Sequence, residues 1–126
     1  MSKPRIPADS SLAYQHGPTL SGPRIRLRPL IESDLPFLQA LWNDGEVMRY
    51  VGFPQGLNYT QEKLAQWWTA VQASVATHLL VETLDGTPLG ESGWGFLGLP
   101  GMMEMKLTPA YWGQGYASET LETLLT

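Results

Sequence analysis

The chain has no cysteine and only two histidines, His16 and His78. The first absence removes disulfides, thiolate nucleophiles and cysteine metal sites, and the second leaves too few imidazoles for a histidine metal cluster. Basic side chains are also scarce. With 8 Lys and Arg against 12 Asp and Glu, the net charge of −4 argues against nonspecific nucleic-acid binding, which needs clustered positive charge. No stretch approaches the roughly 20 continuous apolar residues that span a bilayer, and no apolar centre of a secretory signal stands near the start. A cytoplasmic protein without a membrane partner is the expectation. At 126 residues the chain is long enough for one domain with its own core.

Residues 1–23 carry Pro4, Pro7, Pro18 and Pro23 with few large apolar groups, which predicts a disordered tail. From residue 24 the pattern becomes that of a folded domain. Ile25, Leu27 and Leu30 alternate with Arg24, Arg26 and Arg28, the period of a strand with one face in water, and Pro29 closes it. The three arginines form a solvated face or meet an acidic partner. Ser33 or Asp34 is placed to cap a helix running to about Asn43, with Leu35, Leu38, Leu41 and Trp42 at helical spacing. A second short helix covers Glu46 to Val51. Thr60 caps a third, whose buried stripe is Leu64, Trp67, Trp68 and Val71. His78 to Leu84 and Leu89 to Phe96 read as the arms of a β-hairpin around Asp85-Gly86, with Gly90, Gly93 and Gly95 marking a bulge or a close backbone approach. A loop from Gly98 to Gly101 precedes a strand over Met102 to Leu107, and a helix begins near Ala117.

Between that strand and that helix lies Tyr111-Trp112-Gly113-Gln114-Gly115-Tyr116-Ala117. Two glycines let the backbone turn tightly with bare N–H groups, and the helix behind them starts with unsatisfied donors and a partial positive charge. Such a turn suits phosphate, held by backbone amides because the turn itself contains no Lys or Arg. A glycine pair of this spacing is, on its own, more often a plain turn.

The wider run Pro109, Tyr111 to Glu119 and Leu121 resembles the acetyl-CoA signature of the GNAT superfamily, and within it the RimJ/RimL-type N-acetyltransferases, whose signature reads much like P-x-Y-W-G-Q-G-Y-A-S/T-E. The general pattern Q/R-x-x-G-x-G/A falls on Trp112 to Ala117, with Trp112 in the place of Arg or Gln. A second match, R-L-R-P-L-x-x-x-D-L followed by W-N-D-x-E-V-M-R-Y-V-G, lies far upstream. The resemblance implies an α+β, three-layer fold with a mixed, mainly antiparallel sheet flanked by helices. It also implies that acetyl-CoA binds through Trp112, Gly113, Gln114, Gly115, Tyr116, Ala117 and Ser118 at the pyrophosphate and through Met105, Lys106 and Leu107 along the pantetheine.

The same resemblance implies that the segment after the first helices helps form the acceptor cleft, which makes Trp42, Met48, Arg49 and Tyr50 the candidate acceptor contacts, although core packing suits Trp42 and Met48 better. Glu104, and after it Glu91, are candidate general bases, on the reasoning that partial burial raises a carboxylate's affinity for protons. Ordinary paired carboxylates are the alternative. Ser92 and Ser118 have no evident His partner, which favours direct attack of a primary amine, on a protein N-terminus or a small molecule, over an acyl-enzyme. Family members continue past this length, so the resemblance covers the N-terminal and central part of the fold, residues 24–126. A C-terminally truncated domain would expose a central strand as an edge, which a second copy could cover. The other reading is a truncated, non-catalytic acyl-CoA or nucleotide-binding module.

Overall fold

The computed structural model describes residues 19–72, 77–94 and 103–125. Among these residues five strands form one sheet in chain order, β1 (Leu20–Ser21), β2 (Ile25–Pro29), β3 (Thr77–Thr83), β4 (Pro88–Trp94) and β5 (Met103–Leu107), every neighbour antiparallel. The helices are α1 (Leu35–Trp42), α2 (Gly45–Met48), α3 (Gln61–Gln72) and α4 (Tyr116–Leu125). This is the expected α+β architecture. One sheet face packs Leu80 with Leu38, Leu41 and Trp42 of α1, Val47 of α2 and Leu64, Trp68 and Val71 of α3. The other packs Ile25, Leu27, Leu79, Val81, Leu89 and Leu107 with Tyr116 and Leu124 of α4. Helices therefore cover both faces.

Local pattern placed most boundaries within a residue or two. Thr60 Oγ1 accepts from the Lys63 N–H at 3.1 Å, capping α3 as expected. Trp67 and Trp68 anchor that helix, with Trp67 edge-on to Trp42 at 4.8 Å. Asp34 does something else. Its carboxylate accepts from the Ile31 N–H at 2.8 Å and takes both Arg28 Nη atoms at 2.9 Å, so it holds β2 to the turn before α1 and makes no cap hydrogen bond to that helix.

Part of the stretch expected as a tail, residues 1–23, is paired strand. Leu20 and Ser21 pair with Leu27 and Arg26, and Gly22 N–H donates to Ile25 O at 2.9 Å to close the turn. Composition misses this because β2 supplies the pairing partner from outside the segment. Residues 1–18, the loop from Gly98 to Gly101, Gly95 and Phe96 lie outside the described residues. The arginines are not a solvated face either. Arg26 sits opposite Glu82 in register and bonds it at 2.7 Å, and Arg28 reaches the same carboxylate at 3.2 Å. On α4 the apolar residues do not share one buried face: Leu124 packs inward, whereas Leu121 and Leu125 are 42% and 71% exposed. Thr120 and Thr123 are buried instead, each hydroxyl donating to the carbonyl four residues back.

Gly90 is a close-approach glycine, as its strand position suggested. A methyl group there would overlap the Lys106 carbonyl oxygen and press on Leu107 across the β4–β5 ladder. Gly90→Ala is expected to destabilise the fold by about 1–3 kcal/mol, read as a lower urea midpoint with unchanged slope.

Candidate functional site

β5 hands the chain to the glycine turn through a short 3-10 turn, Pro109–Tyr111, fixed by Tyr111 N–H to Thr108 O at 2.9 Å and Trp112 N–H to Pro109 O at 3.1 Å. Trp112 then folds back and donates from Nε1 to Leu107 O at 2.8 Å, while Gln114 Nε2 donates to Ala110 O at 3.0 Å. Gly113 and Gly115 both take left-handed conformations, with φ of 77° and 86°. A side chain is disfavoured at each. The first helical bond of α4 runs from Glu119 N–H to Gly115 O at 3.1 Å. Among the described residues, no acceptor bonds the peptide N–H groups from Gly113 to Ser118. Gly113, Gln114, Gly115, Ala117 and Ser118 are exposed. A row of outward donors at a helix head is an anion cradle by its chemistry.

Beside this row opens a cleft of about 390 Å³, lined by Val47 and Tyr50 on one side, Met105, Lys106 and Leu107 along β5, and Trp112 and Ala117 on the loop. The structure thus brings the expected cofactor strand, the loop and one expected acceptor residue to a single place. Thr108 N–H donates to Leu89 O at 2.8 Å, and antiparallel alternation then turns the backbone groups of Met105 and Leu107 away from β4, toward the open edge. Lys106 pairs with Glu91 instead.

Of the four expected acceptor residues, Tyr50 is at the mouth, 69% exposed, with its ring 6.0 Å from that of Trp112. Arg49 braces it, donating to the Tyr50 hydroxyl at 2.8 Å. Trp42 and Met48 are 5% and 2% exposed and belong to the core, as packing suggested. Val47 was not foreseen; it sits on the same short helix as Met48, and only the turn of that helix decides which residue faces the cleft.

A family model described as an acetyltransferase (GNAT) domain matches residues 24–126. The chain belongs to the GNAT acetyltransferase family. No curated protein sequence gave a significant match. Among solved structures the chain is similar to a GNAT-family acetyltransferase from Bacillus anthracis (TM-score 0.67, 18% identity, covering 86% of this chain and 64% of that one). It is also similar to the spermidine N-acetyltransferase from Vibrio cholerae, solved in complex with CoA and spermine (TM-score 0.66, 18% identity, covering 80% of this chain and 61% of that one). These likenesses carry the fold, and the GNAT chain spans less than two thirds of the length of either neighbour.

Behind the cleft lies a buried polar cluster. Glu91, 1% exposed, receives the Trp42 indole N–H on Oε1 at 2.8 Å and lies 2.8 Å from His78 Nδ1 through Oε2, with Lys106 Nζ at 3.8 Å. Burial alone would push this carboxyl up. The His78 hydrogen bond, the fields of Lys106 and His78 and the Trp42 bond outweigh it, so the group sits below its ordinary 4.5. The expectation that burial raises the proton affinity of Glu91 is therefore reversed, and His78 Nδ1 is the donor to an anionic carboxylate. Both oxygens are engaged, which makes Glu91 a structural anion in this geometry rather than a base. Glu104 pairs through its backbone with Gly93, and its side chain lies outside those described.

In sequence Arg24 is one member of a charged strand face. It reaches the loop: Nη2 donates to Gln114 O at 3.1 Å and Nε to Glu119 Oε1 at 2.7 Å. No local signal could show this, since the partners are 90 and 95 positions away. Desolvation pushes the Glu119 carboxyl up, but hydrogen bonds from the Arg24 peptide N–H and side chain and the charge of Arg24 bring it below 4.5. Because the folded carboxyls of Glu91 and Glu119 are both lowered, their stabilisation is present above the unfolded carboxylate range and is lost as pH falls through the folded values. Urea midpoints are expected to hold from about pH 7 to about pH 5 and to drop as the pH falls further, and the drop should shrink in a Glu91→Gln variant.

Proposed function

We propose that the chain is an acetyl-CoA-dependent N-acetyltransferase that passes the acetyl group directly to a primary amine in the cleft between α2 and β5. The observation that carries this reading is the run of unbonded N–H groups from Gly113 to Ser118 opening beside that cleft. Those amides would hold the pyrophosphate, and the outward backbone of Met105 and Leu107 would hold the pantetheine arm. Acetyl-CoA supplies a thioester carbonyl: the amine nitrogen bonds to its carbon, the carbon–sulfur bond breaks, and the sulfur leaves as the thiol once it has a proton. This chain's contribution is to orient that carbonyl along β5, offer N–H donors to its oxygen, and accept the amine's proton, with Glu104 acting through water as the candidate.

The acceptor reading follows from the lining. No carboxylate is among the described residues of the cleft, whereas aromatic and aliphatic groups are. A polyamine of the kind held by the Vibrio neighbour is matched poorly by such walls, and a protein N-terminal amine or a small neutral amine is matched better, in line with the RimJ/RimL-type motif and a cytoplasmic role. Thiol release from acetyl-CoA should therefore depend on added primary amine and favour a short peptide over spermine at equal concentration. A faster rate with spermine would overturn the acceptor assignment, and no amine-dependent release would overturn the transfer itself.

The second reading has its own observation. Among the described residues β5 pairs only with β4, which leaves the cleft's strand as a sheet edge. A module that binds acyl-CoA without turning it over, with a second copy against that edge, would show calorimetric binding and no thiol release.

A further inference from the structure

Arg24 makes more contacts with the loop than a surface ion pair requires. Its guanidinium bonds both the Gln114 carbonyl and the Glu119 carboxylate, its peptide N–H donates to Glu119 Oε2 at 2.6 Å, and its Cζ lies 4.3 Å from the Tyr116 ring centroid. One side chain thus touches the middle of the turn and the first turn of α4. The Gln114 contact falls in the turn, outside α4. It orients a peptide group. In a trans peptide the C=O and the following N–H point in opposite directions, and no cis bond occurs among the described residues. Drawing the Gln114 carbonyl toward Arg24 therefore turns the Gly115 N–H away from it, to the outer side of the turn. Gly115 accommodates this with φ of 86°, and a Cβ there would come 3.3 Å from Arg24 Nη2.

A turn with two glycines has many conformations open to it, and ordering it at the moment of binding would weaken affinity. We propose that Arg24 is a positioning residue that presets the Gly113–Gly115 turn with its N–H groups facing outward before any ligand arrives. This rests on the reading that those groups hold the diphosphate of CoA. Arg24 itself is spent on protein partners, so its role is exercised through the loop.

The test compares Arg24→Met, which keeps the stem and removes the donors, with Arg24→Lys, which can keep the charge pair with Glu119 but lacks the planar fork whose separate nitrogens reach Glu119 and the Gln114 carbonyl. Backbone order parameters at Gln114 and Gly115 are measured in the ligand-free proteins, and CoA affinity by calorimetry. In Arg24→Met the order parameters should fall from about 0.85 to below about 0.6, and the dissociation constant for CoA should rise about tenfold. Arg24→Lys should recover the melting temperature but not the affinity. Unchanged order parameters in Arg24→Met, or full recovery of affinity by Arg24→Lys, overturns the proposal. If Arg24→Met does not fold, Arg24→Lys decides alone by the same two readings. Failure of the wild-type protein to bind CoA would refute the diphosphate reading instead, and the order parameters would still decide whether Arg24 presets the turn.

Discussion

Gly115→Val is expected to raise the dissociation constant for CoA between about tenfold and a hundredfold, an effect of roughly 1.4–2.8 kcal/mol. The backbone there sits at φ of 86°, where a β-branched side chain costs about 1–3 kcal/mol, so the loop relaxes to another shape. Relaxation is easy because the turn is exposed, and the global melting temperature should move little. Gly113 provides the contrast. Its φ of 77° is also left-handed, but a Cβ there meets nothing within 4 Å. Gly113→Asn, with a residue that tolerates this region, should keep the turn in the free protein. Calorimetry on the two variants separates loss of turn shape from intrusion of a side chain. Equal and unchanged affinities would count against the loop as the phosphate site.

The second large effect concerns stability. Glu91→Ala removes the acceptor of the Trp42 indole and the carboxylate facing His78 and Lys106, all inside the sheet's α1–α3 side. Taking one member from a buried charged cluster costs about 3–5 kcal/mol, a large share of the roughly 5–15 kcal/mol that holds a domain together. A fall of roughly 10–20 °C in melting temperature is the expected readout. Glu91→Gln should cost less, because an amide oxygen can still accept from Trp42. In the folded Glu91→Gln protein the pH dependence of amine-dependent thiol release should match wild type, since the carboxylate is not the base; a displaced profile would restore its catalytic candidacy.

The glycine turn was legible because its determinants are local: two residues without Cβ, a preceding apolar strand and a helix start lie within one short run. The same holds for α3, where the Thr60 cap and the Leu64, Trp68, Val71 stripe report their own structure. What escaped depends on register and on distant partners. Whether Lys106 faces the cleft or the cluster at Glu91 is decided by a single-residue alternation in β5, which apolar content cannot fix. Asp34 looks like a cap in sequence and becomes an ion-pair anchor because Arg28 happens to lie beside it. Arg24 and Glu119 meet only once β2 and α4 have packed. Burial of Glu91 was foreseen in part, but its effect on the carboxyl reversed sign, because three partners arrive from α1, β3 and β5.

Titrating the isotope-labelled chain with CoA while following amide chemical shifts tests the central claim most directly. Saturable shifts concentrated at Gly113 to Ser118, with smaller ones at Met105 and Leu107, are the predicted result. Binding that leaves the Gly113 to Ser118 amides unmoved would contradict it.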